Sequence, residues 1–343
     1  MARKPSKKSE QAAETAALIK AIEFVNTAQK GPGANAVGLP YQTHTILRAR
    51  TAQAYDGVLA GGIGIEFAEI NTAAHTDKLL AALKRCKAEY SVTQVDGGQL
   101  VVKSGSFRAV VDCLNPADLA SNALMPDDPV AVINDNIKKG FATLNPLVAE
   151  NAQHVVTSSL LLQSNTMVAT DRILIAEYWH GIHLPPGLVI PKAALTAIVK
   201  TDKPLARLGF SDGSVTFWFE DMSWIKTQRH SEAWPDTSHI FNFTPAVEET
   251  PKKLREAVEA VAPFAAEGCV WLNHNEVASH LDNATGATHD CKGLPGGAVF
   301  GIKRLLDVLN ITTHVDWTSS GLGVYFTDNA TVRALLSKRV VSG

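Results

Sequence analysis

The 343-residue sequence has no apolar run approaching the length of a membrane span and opens on polar residues, so it predicts neither an anchor nor a signal peptide. Cysteine is scarce. Cys86, Cys113, Cys269 and Cys291 are scattered, which fits a reducing, cytoplasmic setting rather than a disulfide framework. An excess of one charge is also missing: 32 Lys and Arg against 34 Asp and Glu give a formal net charge of −2. That excludes a histone-like binder and still allows positive charge gathered on one surface. There is no GxxxxGK[ST], HExxH or GxSxG, so no nucleotide-binding or catalytic motif is assigned, and no cofactor. Gly61 to Gly64, GGIG, lies inside a strand pattern with no helix directly behind it and reads as a bent strand. Cys269, His274, His280, His289, Asp290 and Cys291 are metal-ligand types in a short span, yet CxxC pairs are absent and the spacing matches no common zinc pattern. A metal-dependent enzyme using this cluster is the alternative reading; no metal site is assigned.

What is present is a globular composition, 45% hydrophobic and 19% charged, in a chain long enough for two or three domains. Residues 1–9, with Arg3, Lys4, Lys7 and Lys8, predict a disordered basic tail. A helix is expected from Ser9 to Gln29, then strands His44–Arg50 and Tyr55–Ile70, and a helix opened by Thr76. A hairpin turning at Asp96-Gly97-Gly98 and a strand FRAVVDCL follow. The pattern then restarts. Ile137, Phe141, Leu144 and Val148 suggest a helix that Pro146 interrupts, before strands 155–163 and 166–179 and a helix entered through Pro191. A third pass begins at Thr250-Pro251 and runs through strands near 270–272 and 277–281, the helix FGIKRLLDVLN, and a final strand near 333–340. Aligning HTDKLLAALKRC, IPKAALTAIVKT and FGIKRLLDVLNI gives a period of roughly 110 residues, too long for a solenoid, so each unit reads as an α+β domain. The expected domains are 10–127, 128–243 and 244–343.

Several segments resemble the bacterial replicative sliding clamp, the β subunit of DNA polymerase III. VATDRILIA (168–176) is similar to that family's V-A-T-D-G-H-R-L-A, and IPKAALTAIV to the helix following it. IKTQRHSEAWPDTSHIF stands where the family has a segment ending in (R/K)-F-P-D-Y, and DGGQLVVKSGSFRAVV resembles its first-domain hairpin. Arg172, Ile173 and Leu174 replace Gly-His-Arg, the chain ends in SKRVVSG, and no strand precedes the first helix; these departures suggest a divergent clamp such as a virus-encoded one. The resemblance implies three clamp domains, each two helices packed on antiparallel sheets, and a homodimer closed head to tail into a ring. It implies a non-catalytic factor that encircles duplex DNA without reading sequence and takes a DNA polymerase and a clamp loader as partners, with no membrane. It also implies a peptide groove at Thr157, Thr170, Leu174, Ile175, Pro235, His239 and Ile240, with Leu335, Leu336 and Val340 from the last strand.

The charge pattern points the same way. Lys20, Lys78, Lys84, Arg85, Lys138, Lys139, Lys192, Lys200, Lys252, Lys253, Lys303 and Arg304 fall on expected helices, whereas Glu66, Glu69, Glu177, Glu220 and Asp221 fall on strands and their edges. Helix cations lining a hole would hold phosphates and leave bases unread.

Overall fold

The computed structural model describes residues 7–29, 39–67, 70–87, 89–95, 97–119, 124–150, 154–185, 187–265, 267–280 and 286–339. The chain opens with α1 (Lys7–Gln29), which buries Leu18, Ile22 and Val25 at helical spacing and takes up the last three residues of the expected tail. A hairpin of β1 (His44–Arg48) and β2 (Thr51–Tyr55) follows. Its turn residues, Ala49 and Arg50, both have positive φ, 48° and 60°, so the usual Asn-Gly signature is absent and the turn is silent in the sequence. The single strand expected over 55–70 is instead β3 (Leu59–Gly64), separated from β4 (Thr72–His75). Asp56 delays β3: its carboxylate accepts the amides of Val58 and Leu59, both at 2.7 Å. Next come α2 (Thr76–Lys84), β5 (Ser91–Gln94), β6 (Leu100–Ser104), β7 (Phe107–Val111) and β8 (Cys113–Leu114).

The second pass holds β9 (Pro129–Val132), α3 (Asp135–Leu144), α4 (Val155–Ser158) and β10 (Ser159–Leu162). Pro146 ends α3 by opening a 3-10 turn over Asn145–Leu147. Residues 155–158, expected as strand, are helical. Then follow β11 (Thr166–Thr170), β12 (Leu174–Trp179), β13 (Leu188–Pro191), α5 (Lys192–Lys200), β14 (Leu205–Phe210), β15 (Ser214–Phe219) and β16 (Trp224–Gln228). The third pass holds β17 (Glu248–Glu249), α6 (Leu254–Val261), β18 (Cys269–Asn273), β19 (Glu276–Ala278), β20 (Thr288–Asp290) and β21 (Ala298–Gly301). It ends with α7 (Ile302–Leu309), β22 (His314–Asp316), β23 (Val324–Thr327) and β24 (Val332–Leu336).

The chain forms two compact units. The first takes residues 1–138 and 193–231, the second residues 139–192 and 232–343. They do not coincide with the three expected segments, because the strands of the middle segment are shared out. The first unit carries a nine-stranded sheet, β8-β4-β1-β2-β3-β16-β15-β14-β9, and the three-stranded β5-β6-β7. The second carries an eight-stranded sheet, β13-β10-β11-β12-β24-β23-β22-β17, and the four-stranded β20-β19-β18-β21.

The repeat recurs rung by rung. In the first unit one ladder rung reads Ala73, Ile46, Gln53, Gly62, Trp224. The corresponding rung of the eight-stranded sheet reads Val189, Leu161, Val168, Glu177, Arg333. In the four-stranded sheet it reads Val299, Trp271, Ala278, Thr288 and stops there, because β20 ends that sheet. So β3 is continued by β16 and β12 by β24, in one register. The corresponding strands β20 and β7 are left as sheet edges.

Candidate functional site

The second unit contains an apolar cluster on one face of the eight-stranded sheet. Leu161, Val168, Ile175, Val189, Tyr325 and Leu335 form its floor, and Val155, Trp234, Ile240, Phe241 and Phe243 pack on it, partly buried. Two-residue alternation decides which strand residues reach this face. Ile175 pairs with Leu335 in the floor, while the neighbouring pair, Leu174 and Leu336, is 1% and 0% exposed and lies outside the cluster, in the core. Thr170 pairs with Ile175 and is buried, as is Thr157 in α4. Pro235 and His239 are exposed on the covering segment, and Ile240 packs onto the floor. Val340 lies outside the described residues. Of the expected groove, then, Ile175, Ile240 and Leu335 belong to the cluster. Leu161, Val168, Val189, Tyr325, Phe241 and Phe243 also belong to it, and the β-alternation around Val168 and the Phe-Asn-Phe spacing of the cover are their signals in the sequence.

The corresponding place in the first unit differs because its side chains are polar. Gln53, Thr216 and Lys226 occupy the rung positions of Val168, Tyr325 and Leu335. They hold the connecting segment by hydrogen bonds: Gln53 Nε2 to Leu124 O at 3.2 Å, Thr216 Oγ1 to Asp127 Oδ2 at 2.8 Å and Lys226 Nζ to Met125 O at 2.7 Å. Buried polar atoms paired in this way fix one partner. The second place is held by apolar contact.

Charged groups frame the floor. Arg333 is ion-paired with Glu177 and sits 4.5 Å above the Phe241 ring, while Phe241 and Phe243 stack edge-on against Tyr325. The Ser238 amide, donating to Asp236, holds that carboxyl below the usual range. Asp316 anchors the end of the cover. Burial alone would raise its pKa, but hydrogen bonds from Ser319, Thr318 and Ala246 outweigh burial and bring it to about 2.

The helix cations divide into two groups. Lys20, Arg85, Lys139, Lys200, Lys252, Lys253 and Lys303 are exposed, with Lys252 and Lys253 just ahead of α6 rather than on it. The others are engaged within the protein. Lys78 pairs with Asp112 and Lys84 with Glu23, both on the surface at 2.5 Å. Lys138 donates to the carbonyls of Thr201 and Lys203 just beyond α5. Lys192 donates to Val148 O at 2.5 Å and lies 3.6 Å from Glu150. Arg304 is largely buried between Asp171 and Asp307.

Among the described residues no three His, Cys, Asp or Glu side chains come together in a way that could hold a metal ion. Cys269 is buried beside Trp271, and His289 faces Glu256 at 4.0 Å. Among the described residues, no helix is long and apolar enough to cross a membrane.

Two shared sheets, a repeat in one register and an apolar patch on one of them define the fold of a DNA sliding clamp, and known structures bear this out. No family model matches the sequence, and no curated protein matches it. The DNA polymerase sliding clamp from Bacillus subtilis superposes with a TM-score of 0.80 at 14% identity, covering 96% of this chain and 98% of that one. The sliding clamp from Pseudomonas aeruginosa gives 0.77 at 16% identity over 95% and 98%. The Helicobacter pylori beta clamp bound to a DNA ligase peptide gives 0.75 at 14% identity over 95% and 98%. The chain therefore has the sliding-clamp fold over nearly its whole length, with a sequence far diverged from these.

Proposed function

We propose that this chain is a replicative sliding clamp: a non-catalytic factor that encircles duplex DNA in the cytoplasm and tethers a DNA polymerase to it, placed there by a clamp loader. The observation that carries this reading is the repeated register. Within the chain, β3 is continued by β16 and β12 by β24, so β20 and β7 are the remaining edges of matching kind. Joining β20 of one copy to β7 of a second in the same register puts Thr288 opposite Arg108, as Glu177 stands opposite Arg333. Two copies joined this way leave neither edge open, and the contact is closed and head to tail. The three domains are 10–127, 128–243 and 244–343, sharing their sheets across the boundaries.

Lys20, Arg85, Lys139, Lys200, Lys252, Lys253 and Lys303 are the phosphate contacts this reading favours, since they are exposed. Contacts of this kind bind DNA irrespective of sequence and weaken steeply with salt. The floor around Ile175 and Leu335 is the docking site for a short apolar peptide of the polymerase or loader. Its residues are under a tenth exposed, so a peptide reaches them by entering beneath Trp234, Ile240 and Phe241. A few leucine-sized anchors at roughly 2 kcal/mol each give micromolar affinity, weak enough for partners to exchange. The bound DNA ligase peptide of the Helicobacter pylori clamp supports this use of the fold.

Sedimentation combined with particle imaging tests the reading: the expected species is a dimer with a hole wide enough for a duplex. Monomer alone at micromolar concentration counts against it.

A further inference from the structure

The helix pattern puts Arg304 beside Lys303 on α7, as one more cation for phosphate. Its surroundings say otherwise. The side chain is 16% exposed, held by Asp171, which is 11% exposed, and by Asp307, which is 17% exposed. Nε pairs with Asp171 Oδ2, and Nη1 donates to Asp307 Oδ2 at 2.6 Å and toward Pro146 O at 3.5 Å. A guanidinium pinned through Nε and Nη1 to two largely buried carboxylates is poorly placed to meet DNA.

The other end of this contact is the turn between β11 and β12, which leads into the apolar floor. Asp171 is its centre. Oδ1 accepts the amides of Ile173 at 3.0 Å and Leu174 at 2.8 Å, while its own amide donates to Leu174 O at 3.1 Å. Thr170 Oγ1 donates to Leu174 O and accepts the Arg172 amide. The turn carries Arg172 at a φ of 77°, a conformation a non-glycine residue adopts only when its surroundings hold it there. It leaves Ile173 52% exposed and delivers Ile175 to the floor.

We propose that Arg304 is a positioning residue for the peptide-docking site: it holds the second oxygen of Asp171, and so fixes the turn that aims Ile175 into the floor and presents Ile173 at its edge. This rests on the proposed peptide site, and the experiment separates the two. The full-length chain is compared with Arg304→Ala, Arg304→Lys and Asp307→Asn in three measurements: amide exchange at residues 171–175, binding of a DNA ligase peptide, and retention on circular DNA. Lysine preserves a point charge, which suffices for phosphate, and loses the forked geometry that two carboxylates require. The inference expects both Arg304 variants to exchange about tenfold faster at 173 and 174 and to bind peptide about tenfold more weakly, with DNA retention and its salt slope unchanged. Asp307→Asn, which leaves the Asp171 contact in place, should give a smaller effect in the same direction.

Unchanged exchange at 173 and 174 in Arg304→Ala overturns the inference. So does a loss of DNA retention in Arg304→Ala that lysine restores. If the unaltered chain binds no ligase peptide while exchange still accelerates in the variants, the peptide reading fails for that probe and the turn-holding role of Arg304 stands.

Discussion

Trp224 lies flat against Gly62 across the β3–β16 ladder, and a Cβ on that glycine would come within 2.6 Å of the indole Nε1. The contact sits where one repeat is sewn to the next, so the glycine is required by packing and not by phosphate binding. Gly62→Ala should cost about 2–3 kcal/mol, read as a lower denaturation midpoint. Gly213→Ala, at a turn with open space around it, should change the stability by less than about 0.5 kcal/mol. Equal effects at the two positions would mean that the Trp224 contact is not tight.

The β1–β2 hairpin turns through Ala49 and Arg50, both at positive φ. Replacing the pair by Ala49→Asn and Arg50→Gly supplies the residues such a turn prefers and should stabilise the chain by about 0.5–1 kcal/mol. The check is a rise in melting temperature with no change in solution mass.

Acid should loosen the cover of the apolar floor. Asp316 has a folded pKa of about 2, below the roughly 3.9 of an unfolded aspartate. Its contribution is therefore present above about pH 4 and is lost as pH falls toward 2; it is on the order of 2 kcal/mol. Asp328, also lowered because hydrogen bonds from Val332, Ala330 and Thr331 outweigh its burial, acts in the same direction. Asp316→Asn should flatten stability against pH between 4 and 2, measured by urea midpoints across that range.

Leu174 and Ile175 are adjacent and should respond in opposite ways. Leu174→Asp puts a charge into the core and should prevent folding, at a cost of several kcal/mol. Ile175→Asp alters the floor and should abolish peptide binding and processivity with the solution mass of the folded chain kept. Loss of neither in Ile175→Asp would remove the docking site.

Much of this was legible in the sequence, and what was missed has physical reasons. Pro191 before α5 and the Gly97-Gly98 turn are local signals, and the alignment of three helix segments marks the repeat. The Ala49-Arg50 turn has no such signal. The sharing of the middle segment's strands depends on pairings such as Gly62 with Trp224, which no local pattern encodes. Alternation allows only one of Leu174 and Ile175 to face the apolar floor, and the ladder to Leu335 and Leu336 identifies which. Periodicity gave Arg304 a place on α7 but not its partner Asp171, which comes from a distant turn.

Exposed helix cations should act additively. Replacing Lys139, Lys200, Lys253 and Lys303 by Ala, singly and together, should lower the slope of log affinity against log salt by roughly 0.9 for each phosphate that is no longer neutralised, with no dependence on DNA sequence. Lys138→Ala should instead affect stability, because its ammonium already serves the carbonyls of Thr201 and Lys203. A salt slope unchanged in the fourfold variant would place the DNA elsewhere.

Closure around DNA is tested most directly by locking the proposed junction. In a Cys86→Ser, Cys113→Ser background, which removes the half-buried native thiols, Arg108→Cys and Thr288→Cys are introduced together and oxidised after loading on circular DNA. In the proposed β7–β20 junction the two positions would stand opposite each other, at the separation of a cross-strand pair, which a disulfide can bridge. The account predicts a covalent dimer that stays on circular DNA in high salt and is released when the circle is cut. No cross-link, a ladder of open-ended polymers, or a cross-linked dimer that leaves intact circles in salt would contradict it.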